Sequence, residues 1–247
     1  MHDVRSRHPY LAVRAGRANA RRAGPRSLAD RFQEVACGPW TVHVGAMQGR
    51  RPRMEDAWRV LPKTRVGHRD LTVLGVFDGV GGSPGGAEAA QAAAKTLEQA
   101  AVEGMDDLLG SLNAAATQAG GATTAVVVAL DPMGHDGGIA CVGDSSAYTL
   151  RRERLHRLTP RDAAGRHLLT DHLGHPGMHG HLFPFAIGRE PLLLCTDGVD
   201  GVLRPTDLED LLRAPDGALG AAFELLFDAI EERGAPDNAT AILATLN

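Results

Sequence analysis

The sequence predicts an α+β fold, a β-sandwich with helices packed outside it. Three observations predict it: short apolar stretches of strand length run together in groups, helical stretches come in pairs between those groups, and strand and helix never alternate one for one as a parallel βαβ sheet requires. No internal repeat or low-complexity block interrupts residues 40–247, which read as one domain.

The elements follow in chain order. Residues 41–46 alternate apolar and polar with a strand period, and end at the breakers Gly49 and Pro52. Residues 57–61 are a second short strand, and 71–77 a near-continuous apolar run stopped by Asp78-Gly79. A Gly-rich stretch leads into an Ala/Glu/Gln/Lys-rich helix over 87–102, and a second helix covers 105–118 with Leu108, Leu109 and Leu112 on one side. The period then reverts: strands over 123–130, 138–142 and 147–150, the last with a hairpin partner at 155–158 across Arg152-Glu153. Residues 160–190 are irregular and His-rich; a strand at 192–196, helices at 206–213 and 218–233, and a closing strand at 240–246 complete the chain.

Composition bounds the function. The chain has 247 residues, 43% hydrophobic, with a formal net charge of −4. Residues 1–39 carry eight Arg against Asp3, Asp30 and Glu34, a net +5, so the body carries −9. This reads as a basic, flexible N-terminal arm ahead of an acidic domain. An acidic body argues against a nucleic-acid binder, which needs a basic face. No apolar run is long enough to span a membrane, and the basic start lacks the apolar core of a signal peptide. Cys37, Cys141 and Cys195 are odd in number and far apart, the pattern of reduced thiols in a cytoplasmic protein.

Acidic residues recur at strand ends. Asp78 follows the 71–77 strand, Asp144 follows 138–142 after one Gly, Asp197 follows 192–196, Asp237 precedes the last strand, and Glu55-Asp56 precede the second. One Asp at a strand end is commonly a turn residue that caps backbone amides. Five sites with one topological signature weaken that reading, because they can converge at one sheet edge. Converging carboxylates repel, and bound cations relieve the repulsion. Hard oxygen donors without a competing Cys/His set favour Mg²⁺ or Mn²⁺ over Zn²⁺.

The residues around these acids carry a resemblance. Met-Gln-Gly-Arg-Arg-Pro-Arg-Met-Glu-Asp at 47–56 is similar to the opening motif of metal-dependent Ser/Thr phosphatases of the protein phosphatase 2C type. Val-Phe-Asp-Gly-Val-Gly-Gly at 76–82, Gly-Ala-Thr-Thr at 121–124, Val-Gly-Asp-Ser at 142–145, Leu-Cys-Thr-Asp-Gly at 194–198 and Asp-Asn-Ala-Thr at 237–240 continue it in family order. The resemblance implies a four-layer αββα fold, a central β-sandwich flanked by helix pairs. It implies direct attack of a metal-bridging water on phosphoserine or phosphothreonine, with two Mn²⁺ or Mg²⁺ ions. Asp78 would bridge them, with the Gly79 carbonyl contributing. Asp197 and Asp237 would complete one ion, and Glu55 and Asp56 would hold the other and its waters. Asp144 with Asp197 would form a third site. Arg51 would grip the substrate phosphate, and Asn238 would be a support residue. Implied partners are phosphorylated proteins and a Ser/Thr kinase, with no nucleic acid, no membrane and no obligate assembly, so a monomer.

Two departures stand out. Eukaryotic relatives carry His after Asp-Gly, where this chain has Val80; bacterial relatives often have Met there, so Val80 resembles that branch and leaves metal-bound water as the proton source. The segment between Asp162 and Leu192 is shorter than the family's flap region and holds His167, His172, His175, His179 and His181. We read it as a solvated, Gly/Pro-broken loop rather than a proton-donating lid. Residues 79–84 are not a dinucleotide loop, since Pro84 takes the last Gly position and Asp78 would repel a pyrophosphate. Two alternatives remain: a silent phosphoprotein-binding module, and a Ser hydrolase using Ser145, which would act without metal.

Overall fold

The computed structural model describes residues 31–81, 85–99, 104–133, 136–165, 168–186 and 188–247. The expectations for the arm up to residue 30, for positions 82–84, for the last turn of the first helix at 100–102 and for His167 lie outside the described residues.

Two antiparallel sheets face each other. The first contains β1 (Phe32–Cys37), β2 (Trp40–Met47), β11 (Ala239–Leu246), β10 (Leu192–Cys195), β7 (Ser146–Arg151) and β8 (Arg154–Arg157), in that spatial order. The second runs β3 (Ala57–Val66), β4 (Arg69–Phe77), β5 (Ala125–Leu130), β6 (Gly137–Val142), β9 (His181–Pro184). Helices α1 (Gly86–Gln99) and α2 (Met105–Ala119) pack on the second sheet, and α4 (Pro205–Leu212) and α5 (Leu219–Glu232) on the first. A one-turn helix, α3 (Asp197–Asp200), follows β10. This is the expected αββα order.

Three apolar layers hold these four together. Ala89, Ala93 and Leu97 of α1 and Leu108 and Leu112 of α2 meet Val73, Val127 and Ala140. Between the sheets lie Trp40, Val42, Leu74, Val126, Leu192 and Ile242. Leu208 and Leu211 of α4 and Phe223, Phe227 and Ile230 of α5 cover Leu193, Ala241 and Leu243. The central strands β4 and β5 are buried on both faces, which is why they read as continuous apolar runs rather than alternating ones. Arg152 and Glu153, both at positive φ (51° and 61°), make the two-residue turn of the β7–β8 hairpin.

The structure corrects three boundaries. Phe32–Cys37, assigned to the arm, is an edge strand paired along its length with β2 from Phe32↔Gly45 to Cys37↔Trp40, so the folded body starts by residue 31 rather than 40. His181–Pro184, inside the segment read as irregular, pairs with β6 from Cys141↔His181 to Gly138↔Pro184. β3 continues to Val66 through a register shift between Leu61 and Thr64, around Pro62.

Pairing registers bring the acidic segments to one edge. Ala57↔Phe77, Val76↔Val126 and Ala125↔Val142 align the start of β3, the end of β4, the start of β5 and the end of β6. In the other sheet, Ala239↔Met47, Cys195↔Ala241 and Cys195↔Ser146 align the end of β2, the start of β11, the end of β10 and the start of β7. Every acidic segment singled out in the sequence is therefore a loop on the same rim.

Phe227 joins three elements of the first sheet's outer layer. Its fully buried ring meets Phe32 and Phe223 edge-on at 5.3 and 5.4 Å, and fills the space left by Gly45, where a Cβ would lie 2.4 Å from it. Phe227→Ala is expected to cost about 3–5 kcal/mol in urea unfolding, the range for large buried aromatic truncations.

Candidate metal centre

Carboxylates from five loops line the rim, in two electrostatic classes. The inner class forms no ion pair with Arg or Lys among the described residues. Asp56, 3% exposed, accepts a hydrogen bond from the Thr196 hydroxyl at 2.9 Å. Burial, reinforced by the charges of Asp197 and Asp237 and only partly offset by hydroxyl donors, raises its pKa to about 7. Asp78 lies well above the usual carboxylate range, first through lost hydration and then through the charges of Asp56, Asp197, Asp144 and Asp237. Asp197 rises to about 6 through burial and the charges of Asp144 and Asp237, while a hydrogen bond with Asp78 pulls the other way.

The outer class is paired with arginine. Arg51 Nη2 donates to Asp237 Oδ2 at 2.6 Å, and the charges of Asp237, Glu55 and Asp78 strengthen the guanidinium's hold on its proton. Glu55 Oε1 accepts from Arg53 Nε at 3.0 Å. Asp144, 7% exposed, has Arg161 Nη2 at 3.5 Å from Oδ2. Burial raises the Asp144 pKa and Arg161 opposes that rise.

Backbone proximity at this rim depends on glycine. A Cβ on Gly198 would sit 1.7 Å from the Asn238 carbonyl oxygen, and one on Gly79 would sit 2.6 Å from the Glu55 carbonyl oxygen. Asn238, 3% exposed, locks the 48–55 loop against the start of β11. Its Oδ1 accepts from the Glu55 amide at 2.7 Å, and its Nδ2 donates to the carbonyls of Gln48 at 2.7 Å and Arg53 at 3.1 Å. Thr124 does the same across the other sheet. Its amide donates to the Asp78 carbonyl at 2.8 Å, its Oγ1 accepts from the Asp78 amide at 3.1 Å, and it shares a 2.7 Å hydrogen bond with the Ser145 hydroxyl.

The rim thus gathers Arg51, Glu55, Asp56, Asp78, Gly79, Asp144, Asp197 and Asp237 into one neighbourhood. The donor chemistry fits divalent cations that prefer oxygen: the inner carboxylates are buried, repel one another and, among the described residues, form no ion pair with Arg or Lys. Among the described residues, no three His, Cys, Asp or Glu side chains are drawn into a closed ligand set. A bound cation would offset the repulsion among the inner carboxylates.

Several polar residues here carry no motif signal. Asp162 Oδ2 accepts from the Gly143 amide at 3.0 Å and Oδ1 meets His181 Nε2 at 2.8 Å, which fixes the loop that carries Asp144. Asp200 Oδ2 accepts from Ser146 Oγ at 2.5 Å and the Tyr148 hydroxyl at 2.8 Å, tying α3 to β7. Their partners lie tens of residues away in sequence, so no local pattern identifies them. Ser145 is 2% exposed and its hydroxyl meets another hydroxyl, with no imidazole hydrogen-bonded to it among the described residues. That geometry disfavours the Ser hydrolase.

The His-rich segment is built on Asp171, which accepts from the amides of His172 at 2.8 Å and His179 at 2.6 Å. Asn113 of α2 anchors it through the Gly174 amide at 2.8 Å, and Leu173 bridges to Thr123. His172 Nδ1 meets the Leu173 carbonyl at 2.9 Å. These bonds serve the loop's own shape. His172→Ala with His175→Ala is expected to leave turnover within about threefold in phosphatase assays, since exposed loop contacts of this kind carry little energy.

Comparison with known proteins now has a geometric frame. No protein-family model matches the chain. The sequence is 27% identical over 293 aligned positions to the probable protein phosphatase 2C 55 of Oryza sativa subsp. japonica, covering 98% of this chain and 76% of that protein. Among solved structures, PppA, described as a key regulatory component of T6SS in Pseudomonas aeruginosa, superposes with a TM-score of 0.70 at 22% identity, covering 87% of this chain and all of PppA. The S. agalactiae serine/threonine phosphatase gives 0.73 at 20% identity, covering 84% of this chain and all of that one. The catalytic domain of the phosphatase PstP, in complex with two manganese ions, gives 0.66 at 19% identity, covering 83% and 97%. The sandwich with helix pairs outside and an acidic rim therefore defines a known class. Its fold is that of the protein phosphatase 2C-type Ser/Thr phosphatases.

The raised carboxylates predict how stability responds to pH. In the unfolded chain these groups ionise near pH 4. In the folded protein Asp197 and Asp56 hold their protons to about 6 and about 7, so across that window the folded state binds more protons and stability falls as pH rises. With chelator present, the melting temperature is expected to fall between about pH 4 and about pH 7, and Mn²⁺ to restore it most at the upper end, where the fewest protons must leave. A melting temperature that climbs over that window in chelator would contradict this account.

Proposed function

We propose that this chain is a Mn²⁺- or Mg²⁺-dependent protein serine/threonine phosphatase. The observation that carries the reading is the set of buried inner carboxylates Asp56, Asp78 and Asp197, which form no ion pair with Arg or Lys among the described residues, at the rim of a phosphatase 2C-type fold. Asp78, Asp197 and Asp237 would hold one ion, and Asp78, Glu55, Asp56 and the Gly79 carbonyl the other. Bound there, two divalent ions supply an activated water and neutralise charge on the phosphoryl oxygens.

The chain's own residues do the rest. Arg51, 39% exposed at its side chain, stands where it can turn from Asp237 toward an entering phosphate and offer planar paired donors. Gly81 leaves it room: a Cβ there would lie 2.6 Å from Arg51 Nη1. Asn238 and Thr124 hold the two loop sets in register, so that carboxylates and guanidinium face one volume. Val80 brings no proton to the leaving alkoxide, so no side chain at that position acts as general acid.

The substrates in this reading are phosphorylated proteins, the opposing activity is a Ser/Thr kinase of a bacterial signalling system, and the enzyme works as a cytoplasmic monomer. No helix among the described residues is long and apolar enough to cross a membrane, and all three cysteines are buried free thiols, which accords with a reducing compartment.

The test is hydrolysis of a phosphothreonine peptide with Mn²⁺ and with chelator. Activity is expected only with the ion. Asp197→Asn should abolish it with the fold intact, and Arg51→Ala should lower kcat/KM by roughly 10²–10³-fold, the usual loss for a donor aimed at transition-state charge. Tight phosphopeptide binding with no hydrolysis under any metal would point instead to a silent binding module.

A further inference from the structure

Of the three arginine-paired carboxylates of the rim, Asp144 is the most deeply buried, its side chain 8% exposed against 12% for Glu55 and 32% for Asp237. Its side chain is buried, it feels the charge of Asp200, and it raises the pKa of Asp197, so a positive charge here relieves repulsion in the cleft as well as at Asp144 itself. Arg161 provides that charge, with Nη2 3.5 Å from Oδ2.

Arg161 is held in place from both sides. Thr159 Oγ1 accepts from the Ala147 amide at 3.2 Å, and the Pro160 carbonyl accepts from Arg157 Nη2 at 3.5 Å. On the other side, the Asp162 amide donates to the Gly143 carbonyl at 2.9 Å, while Asp162 Oδ2 receives the Gly143 amide at 3.0 Å. Arg157 also donates to the Asp144 carbonyl at 3.1 Å. The backbone under Arg161 is thereby stitched to the backbone under Asp144. A guanidinium on so short a tether is present at an effective concentration of order mM or more. It competes well with a free divalent ion for a site offering little beyond Asp144 and a share of Asp197. It competes poorly at the inner carboxylates, with which it forms no ion pair among the described residues.

We propose that Arg161 is a tethered counter-ion that takes the cation's place at Asp144, so that divalent ions load at the inner carboxylates and Asp144 binds none. The inference rests on the metal-centre reading above. It replaces the third ion implied by the family resemblance with a side chain of this protein.

The count of bound ions tests it. Mn²⁺ titrations followed by loss of the free-ion EPR signal would be run on the wild type, Arg161→Gln, and Arg161→Gln combined with Asp144→Asn. About two ions are expected in the wild type, as in a two-metal site. One further, weaker ion is expected in Arg161→Gln, and it should disappear again in the double variant. A third ion in the wild type, or no added ion in a folded Arg161→Gln, overturns the proposal. Arg161 is 42% exposed at its side chain, and far-UV circular dichroism checks that the variant folds. The wild-type count stands as a test if it does not. A wild type that binds no Mn²⁺ overturns the metal-centre reading itself, which separates the two failures.

Discussion

Mutual repulsion among carboxylates at one rim of the sandwich is the constraint on which the rest of this structure depends. Asp78 feels the charges of Asp56, Asp144, Asp197 and Asp237, Asp56 those of Asp197 and Asp237, and Asp197 those of Asp144 and Asp237, and burial has stripped Asp56, Asp78, Asp144 and Asp197 of water that would screen them. Such a group of like charges is tolerated only if something offsets its cost. The protein uses two devices. Outer carboxylates receive arginines: Arg51 on Asp237, Arg53 on Glu55, Arg161 on Asp144. Among the described residues the inner ones form no such ion pair: Asp56 accepts from the Thr196 hydroxyl, Asp78 and Asp197 share a hydrogen bond, and burial raises the pKa of all three. The division follows access. A guanidinium on a long stem reaches the rim from solvent, and the inner carboxylates lie behind the loops.

Holding that arrangement needs a scaffold that does not yield. The loops come from both sheets, and apolar packing between sheets has no direction of its own to fix their spacing. Directional hydrogen bonds supply it. Asn238 binds three backbone groups of the 48–55 loop, and Thr124 ties the end of β4 to the Asp144 loop through Ser145. Asp162 and Asp200 perform the same service behind Asp144 and Asp197. Glycines at 79 and 198 let backbones approach where any side chain would collide. The rim's polar residues therefore divide into those that face the cleft and those that set where the first group stands.

This division explains how much of the molecule is legible in its sequence. The apolar strands β4, β5 and β10 and the paired helices α1 and α2 are readable because each writes its burial into consecutive residues. The cleft carboxylates are readable because each sits at the point where such a stretch stops. β1 is not, because an edge strand with Gln33 and Glu34 facing solvent carries little apolar signal, and its Arg31 resembles the basic arm before it. β9 is not, because four residues among Gly and Pro form a strand only when β6 offers an edge. Asp162, Asp171, Asp200 and Arg161 stay hidden for a related reason: their meaning lies in partners brought close by the fold.

The shortened segment before β10 shows how position decides the use of a residue type. Histidine near an acidic cleft invites a reading as proton donor or metal ligand. Here Asp171 gathers amides rather than a metal, His172 turns its ring nitrogen onto the next residue's carbonyl, and His181 holds Asp162. Each imidazole contact described is spent on fixing the local chain. The same segment seats Leu173 against Thr123, beside the carbonyl of Asp78 that the Thr123 hydroxyl also engages at 2.9 Å. The segment thereby braces the base of the cleft through backbone contacts, and its histidines follow from that role.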